Sequence, residues 1–114
     1  MSNRRGAVRI RASLRFTFSW GEDCFELYRT LDVSAGGARV VHHVVGSPRP
    51  PVGTEGECAF VLDGLELRTK AVVVRDLRDG YAVRFRALSQ ANERRLVAWI
   101  FRQEALVLIR RIPA

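Results

Sequence analysis

Apolar and polar residues alternate along most of this chain with the period of two that is typical of half-buried β-strands. The first predicted strand begins at Ile10 and carries one apolar face, formed by Leu14, Phe16, Phe18 and Trp20. Five further strands are predicted over residues 24–31, 38–45, 55–62, 65–77 and 81–88. In the second strand, Phe25, Leu27 and Arg29 are predicted on one face, and Glu26 and Tyr28 on the other.

Turn signals separate the predicted strands. Asp63-Gly64 and Asp79-Gly80 predict two-residue hairpins, because a type I′ turn needs a positive φ at both central positions. Residues 46–51 form a proline-rich loop, since proline lacks the N–H group that a strand ladder requires.

The period changes after Ser89, which can cap the N-terminus of a helix. The helix is predicted from about residue 90 to at least residue 104, and up to residue 111. Its predicted apolar stripe is broad and comprises Leu96, Val97, Trp99, Ile100, Phe101, Ala105 and Leu108. The predicted fold class is mainly β: a six-stranded antiparallel small β-barrel with a C-terminal α-helix. The barrel and helix occupy residues 10–114, and residues 1–9 are predicted to be a flexible basic arm.

The length of 114 residues predicts a single domain, and the net charge of +7 favours an anionic partner. Of the 19 basic residues, 18 are arginine, whose planar fork matches phosphate oxygens and the N7/O6 edge of guanine. A GC-rich genome, which favours arginine codons, explains the overall bias equally well. No apolar stretch is long enough to span a membrane and no secretory leader is evident, so we expect a cytoplasmic protein with no membrane partner.

The cysteine and histidine residues do not predict a metal site. Cys24 and Cys58 stand alone on apolar segments, which is typical of small buried side chains in a reducing compartment. His42 and His43 are adjacent, so on a strand they point to opposite faces and are poorly placed to share one metal ion.

Two short motifs carry the candidate chemistry. The first is the arginine cluster Arg5-Gly6-Ala7-Val8-Arg9, an R-x-x-x-R pattern preceded by Arg4. The second is Asp32-Val33-Ser34-Ala35-Gly36-Gly37, a D-x-S-x-x-G pattern at a predicted strand-to-strand corner. The arginine pattern alone is weak, because Arg11 and Arg15 form a second copy. The specific signal is therefore the rarer second motif together with the order of the two.

These motifs, the strand count and the terminal helix resemble the PilZ domain, a bacterial receptor family for cyclic di-GMP. The resemblance covers nearly the whole chain and implies a ligand site formed by Arg4, Arg5, Arg9, Asp32, Ser34, Gly36 and Gly37. It implies no cofactor other than cyclic di-GMP as ligand.

The chemistry of the implied ligand suits these residue types. Arginine forks satisfy guanine N7 and O6, and the Asp32 carboxylate accepts from the N1 and N2 donors. The Ser34 hydroxyl can bond a phosphate or a base edge. Gly36 and Gly37 permit positive φ and a close approach of backbone N–H groups to an anion. Arg4 supplies a further cation, which would favour two stacked ligand molecules over one.

The implied function is that of a non-enzymatic receptor. Ligand would order the basic arm against the barrel corner, and an effector protein would read the changed surface. Catalysis is not indicated, because the sequence shows no evident nucleophile–base pair, carboxylate dyad or phosphate-binding loop of the G-x-x-x-x-G-K-[ST] type. The apolar helix leaves open a homodimer contact through Trp99 and Phe101.

Other interpretations of the same residues remain open. Asp32 and Ser34 could serve only to form local turns, and the arm arginines could be a solvated tail. The chain could be a small basic barrel that binds RNA or single-stranded nucleic acid, although exposed aromatic residues on a sheet face are not evident. It could also be a ligand-free PilZ-like module for protein interaction.

Overall fold

The computed structural model of the chain describes residues 8–22, 24–42 and 49–111, and within them it contains seven strands and one helix. The elements are β1 (Ile10–Arg11), β2 (Arg15–Trp20), β3 (Cys24–Val33), β4 (Gly37–His42), β5 (Glu55–Leu62), β6 (Leu65–Leu77), β7 (Gly80–Arg86) and α1 (Gln90–Arg111).

The strands form a closed antiparallel barrel, as predicted. Six strands follow one another in the order β3-β2-β5-β6-β7-β4, and pairing of β4 with β3 closes the ring. The seventh strand, β1, is an addition to the barrel and pairs with the end of β3, Ile10 opposite Val33 and Arg11 opposite Asp32. The first predicted strand is therefore divided in two, and residues 12–14 carry the chain from β1 to β2.

Both predicted hairpins are present, but the predicted turn residues are confirmed at only one of them. Asp63 and Gly64 both have positive φ, at 52° and 81°, and join β5 to β6. The turn between β6 and β7 is instead centred on Arg78 and Asp79, and Gly80 already pairs with Leu77 in the sheet. Gly80 is required for a different reason, since a Cβ there would overlap the carbonyl oxygen of Val40 on the neighbouring strand.

The core fills the barrel with aromatic and branched side chains. Its largest fully buried members are Tyr28, Tyr81, Phe16, Phe18 and Phe60. The rings of Tyr28 and Tyr81 meet edge to face, with centroids 5.1 Å apart. The alternation along β3 did not say which face is buried, and the structure shows Tyr28 pointing inward and Leu27 exposed.

The helix extends over the predicted range, but its buried face is narrower than the predicted stripe. Leu96, Trp99 and Ile100 join the barrel core, whereas Phe101 is 62% exposed and Ala105 is exposed. The apolar side chains on the Leu96 side of the helix pack against the barrel, whereas Phe101 on the other side faces solvent. Within the described residues, no helix is both long and apolar enough to cross a lipid bilayer.

The proline-rich loop is described only in part. The predicted continuation of the third strand to residue 45 and residues 46–48 of the loop lie outside the described residues.

Candidate functional site

Asp32 lies at the end of β3, where a β-bulge changes the direction of its side chain. The register between β3 and β4 shifts after Thr30, so that Leu31 is the extra residue and Asp32 pairs with Arg39. In a regular strand Asp32 would share a face with Thr30 and point into the barrel. The bulge moves it to the opposite face, while Val33 opposite Ala38 belongs to the core.

Two arginine side chains bind the Asp32 carboxylate. Arg39 donates from Nε to Oδ2 at 2.7 Å, and its Nη2 donates to the same oxygen. Arg9 donates from Nη1 to Oδ1 at 3.1 Å. The carboxylate is almost completely buried, with 2% of the residue exposed, although both guanidinium groups remain partly in solvent. A buried carboxylate requires such partners, because an unpaired charge there would be costly.

The electrostatics of this cluster favour the ionised carboxylate. Burial alone would raise the pKa of Asp32, but the hydrogen bonds and charge of Arg39, together with those of Arg9, outweigh burial and lower it. The same interaction raises the pKa of Arg39. The cluster therefore holds two positive charges and one negative charge and keeps a net positive charge.

Residues 8–11 pack against the barrel next to Asp32. β1 begins directly after Arg9 and pairs with β3, which places Arg9 at this edge of the barrel. Thr30, which is buried, accepts a hydrogen bond at its Oγ1 from the Leu14 N–H at 2.8 Å and donates to the Ala12 carbonyl. Val8 also packs against the core. Residues 8 and 9 thus lie against the barrel, and residues 1–7 lie outside the described residues.

Ser34 forms the turn that follows Asp32. Its Oγ accepts a hydrogen bond from the Gly36 N–H at 3.3 Å and donates to the Gly37 carbonyl at 3.3 Å. Its N–H also donates to the Gly37 carbonyl, at 2.8 Å. The side chain is buried and engaged in the turn, which is the local role that the sequence left open for it.

The two glycines do not use the positive φ that their residue type permits. Neither Gly36 nor Gly37 has a positive φ. Gly37 begins β4 opposite Arg84, and a Cβ there would overlap the Val83 carbonyl oxygen, so glycine permits β4 and β7 to approach. Gly36 is exposed, and a Cβ there would meet open space.

The structure thus brings together Arg9 and Asp32, one residue from each motif, and places Ser34, Gly36 and Gly37 in the turn beside them. Arg4 and Arg5 lie outside the described residues. Sequence reasoning missed Arg39 and Thr30. The opposite charges of Arg39 and Asp32 across a short turn are a partial signal, but their pairing depends on the bulge, which local composition does not predict.

The family comparison agrees with this arrangement. A model of the PilZ domain family matches residues 3–102, a span that includes both motifs. The chain belongs to the PilZ domain family. The family is one of cyclic di-GMP receptors, and the sequence-based resemblance is confirmed.

Solved PilZ structures have the same fold. The PilZ domain of CeSA from a cellulose-synthesising bacterium superimposes with a TM-score of 0.67 at 23% identity, over 84% of this chain and 97% of that one. The Bacillus subtilis inhibitor of motility MotI (DgrA) gives a TM-score of 0.76 at 19% identity, over 87% of this chain and 50% of its own. YcgR of Escherichia coli, in complex with cyclic di-GMP, gives 0.71 at 20% identity, over 90% and 46%.

This chain therefore spans about half the length of MotI and of YcgR. At these identities the likeness concerns the fold. No curated protein matches the chain in sequence.

The described residues contain no cluster of three or more histidine, cysteine, aspartate or glutamate side chains placed to hold a metal ion.

Proposed function

We propose that this chain is a non-enzymatic receptor for cyclic di-GMP that binds its ligand at the edge of the barrel around Arg9 and Asp32. The observation that carries the proposal is the hydrogen bond of 3.1 Å between these two residues, because it joins the R-x-x-x-R segment to the D-x-S-x-x-G corner. Membership of the PilZ family supports the same ligand.

The chemistry of the edge suits a ligand with two guanines and two phosphates. The guanidinium groups are partly exposed and offer forks for phosphate oxygens or for guanine N7 and O6. Asp32 is held ionised and so acts only as an acceptor, and the N1 and N2 donors of guanine would reach it by displacing Arg9 from Oδ1. Arg4 and Arg5 precede this edge in the sequence and would add cations to the same ligand.

The proposed response is a change in the N-terminal segment. Ligand that bridges Arg5, Arg9 and Asp32 would hold the N-terminal segment on the barrel edge, where Val8 and Arg9 lie. Because β1 pairs with β3 and contacts the helix, a change in this segment reaches the surface that α1 shares with β1. An effector protein would then distinguish the two states by differential affinity.

Isothermal titration calorimetry with cyclic di-GMP tests the proposal directly. Arg5→Ala, Arg9→Ala and Asp32→Ala should each weaken binding by about tenfold or more, since each removes a charge-assisted hydrogen bond. Arg15→Ala is the matched control, because Arg15 belongs to the second R-x-x-x-R copy and lies on β2. GTP, with one guanine, should compete poorly. Failure of the unaltered protein to bind at about 50 μM ligand would refute the proposal.

The salt dependence of binding separates this function from nucleic-acid binding. A ligand with two phosphates should give a shallow slope of log affinity against log salt, whereas an oligonucleotide held through many phosphates gives a steep one. Titration of a single-stranded oligonucleotide and of cyclic di-GMP at two salt concentrations makes the comparison. Tight, steeply salt-dependent binding of the oligonucleotide alone would favour the basic-barrel interpretation instead.

A further inference from the structure

Arg39 is a guanidinium of the site that neither motif contains. It lies on β4, which pairs with β3 on one side and with β7 on the other, so that Arg39 faces Asp32 and Ala82. Strands on both sides hold its backbone in the barrel wall. Arg9, by contrast, precedes a strand of only two residues.

Arg39 uses only part of its hydrogen-bonding capacity on Asp32. Its Nε and Nη2 both donate to Oδ2, whereas a guanidinium carries five N–H donors. Among the residues that the structure describes, no acceptor binds the Nη1 group or the second Nη2 hydrogen, and 37% of the side chain is exposed. The bond to Asp32 fixes the plane of the fork, so these donors have a defined direction at the surface.

Arg9 and Arg39 hold different oxygens of the same carboxylate. Arg9 donates to Oδ1 and Arg39 to Oδ2, so the two cations flank one buried anion. Since two positive charges face one negative charge, the cluster retains attraction for a further anion at its exposed side. A phosphate oxygen or the O6/N7 edge of guanine has the acceptor geometry for such a fork.

We propose that Arg39 is a direct contact of the ligand, in addition to holding Asp32. The inference rests on the proposed function and deepens it, because it adds a preorganised cation to the two motifs. A fixed guanidinium loses little conformational entropy on binding. Arg39 therefore forms a preorganised side of the site.

A purely structural role for Arg39 makes a different prediction, and a double-mutant cycle distinguishes the two. If Arg39 acts only through Asp32, Arg39→Gln has no further effect once Asp32→Asn has removed the charge that it holds. If Arg39 contacts the ligand, Arg39→Gln weakens binding in both backgrounds. Calorimetry with cyclic di-GMP on the full chain measures all four affinities, with Arg15→Gln as control and circular dichroism to verify folding.

The expected result is a loss of about tenfold or more for Arg39→Gln in the unaltered background, and a further loss in the Asp32→Asn background. The salt slope should also become shallower, because one ionic contact is lost. Arg39→Lys, which keeps the charge and loses the fork, should recover part of the affinity and serves if Arg39→Gln does not fold.

Two results would overturn the inference while leaving the proposed function intact: unchanged affinity in Arg39→Gln, or a loss that disappears completely in the Asp32→Asn background. Absence of binding by the unaltered protein would instead overturn the proposed function and this inference together. Arg9→Ala provides the internal reference, since it should weaken binding whether or not Arg39 touches the ligand.

Discussion

Arg39 and Asp32 face each other across β4 and β3 because the bulge at Leu31 shifts the register by one residue. The shift takes the carboxylate out of the barrel interior and puts it against a guanidinium, with Nε and Oδ2 2.7 Å apart. A sheet irregularity thus creates the charged centre of the site, as bulges do elsewhere when they redirect a side chain.

The lowered pKa of Asp32 predicts how stability depends on pH. Burial alone would raise this pKa, but Arg39 and Arg9 lower it below the ordinary value of 3.8, so the unfolded chain binds the proton more readily. Ionised Asp32 therefore stabilises the fold above about pH 4, and the contribution is lost as the pH falls below that value.

Urea unfolding of the unaltered protein and of Asp32→Asn, at several pH values between 2.5 and 7, measures this contribution. The variant should be less stable by about 1–3 kcal/mol at pH 7. The difference should shrink below about pH 4, because Asp32 itself becomes protonated there. The other carboxyl groups titrate equally in both proteins and therefore cancel. An equal difference at pH 3 and pH 7 would show that the charge of Asp32 is unimportant to the fold.

The two glycines of the corner predict opposite responses to alanine. Gly37→Ala should destabilise the protein by about 1–3 kcal/mol, because the new Cβ would overlap the Val83 carbonyl oxygen and push β4 from β7. Gly36→Ala is the matched control, since its Cβ meets open space and its φ is not positive. Chemical denaturation compares them, and an equal loss in both variants would contradict the described packing of β4.

Much of the fold could be predicted from the sequence because the barrel strands have strong local signals. β5 and β6 begin and end as predicted, since the Asp63-Gly64 turn between them has a specific backbone requirement. The phase of β3 could not be predicted in this way. It depends on which of two apolar faces fits the barrel interior, and that is decided by the strands on either side.

The candidate site, like the fold, could be predicted only in part. The motifs identified Asp32 and Arg9, which the structure brings together, because a carboxylate and a guanidinium in a recurrent spacing can be recognised without coordinates. Arg39 was missed because its role depends on strand register and on the bulge at Leu31, and neither follows from local composition. The part that Gly37 plays in the close approach of β4 to β7 was likewise missed, because that approach is a tertiary property.

Burial of Cys58 predicts that its thiol is unreactive in the folded protein. Burial raises the pKa of this thiol to about 12, so almost none is thiolate at pH 8. In a Cys24→Ser variant, a thiol reagent at pH 8 should label the protein slowly under native conditions and rapidly in urea. Rapid native labelling at the rate of a small-molecule thiol would contradict the buried position of Cys58.

The orientation of α1 predicts that two of its apolar side chains contribute very differently to stability. Leu96 is fully buried in the barrel core, so Leu96→Ala should lower the free energy of unfolding by about 2–5 kcal/mol. Phe101 is largely exposed, and Phe101→Ala should change it by less than about 0.5 kcal/mol at low protein concentration. Urea denaturation of both variants measures the difference, and equal losses would contradict the described helix face. Repeating the measurement at high concentration tests a homodimer through this helix, because self-association through Phe101 would make the loss in Phe101→Ala grow with concentration.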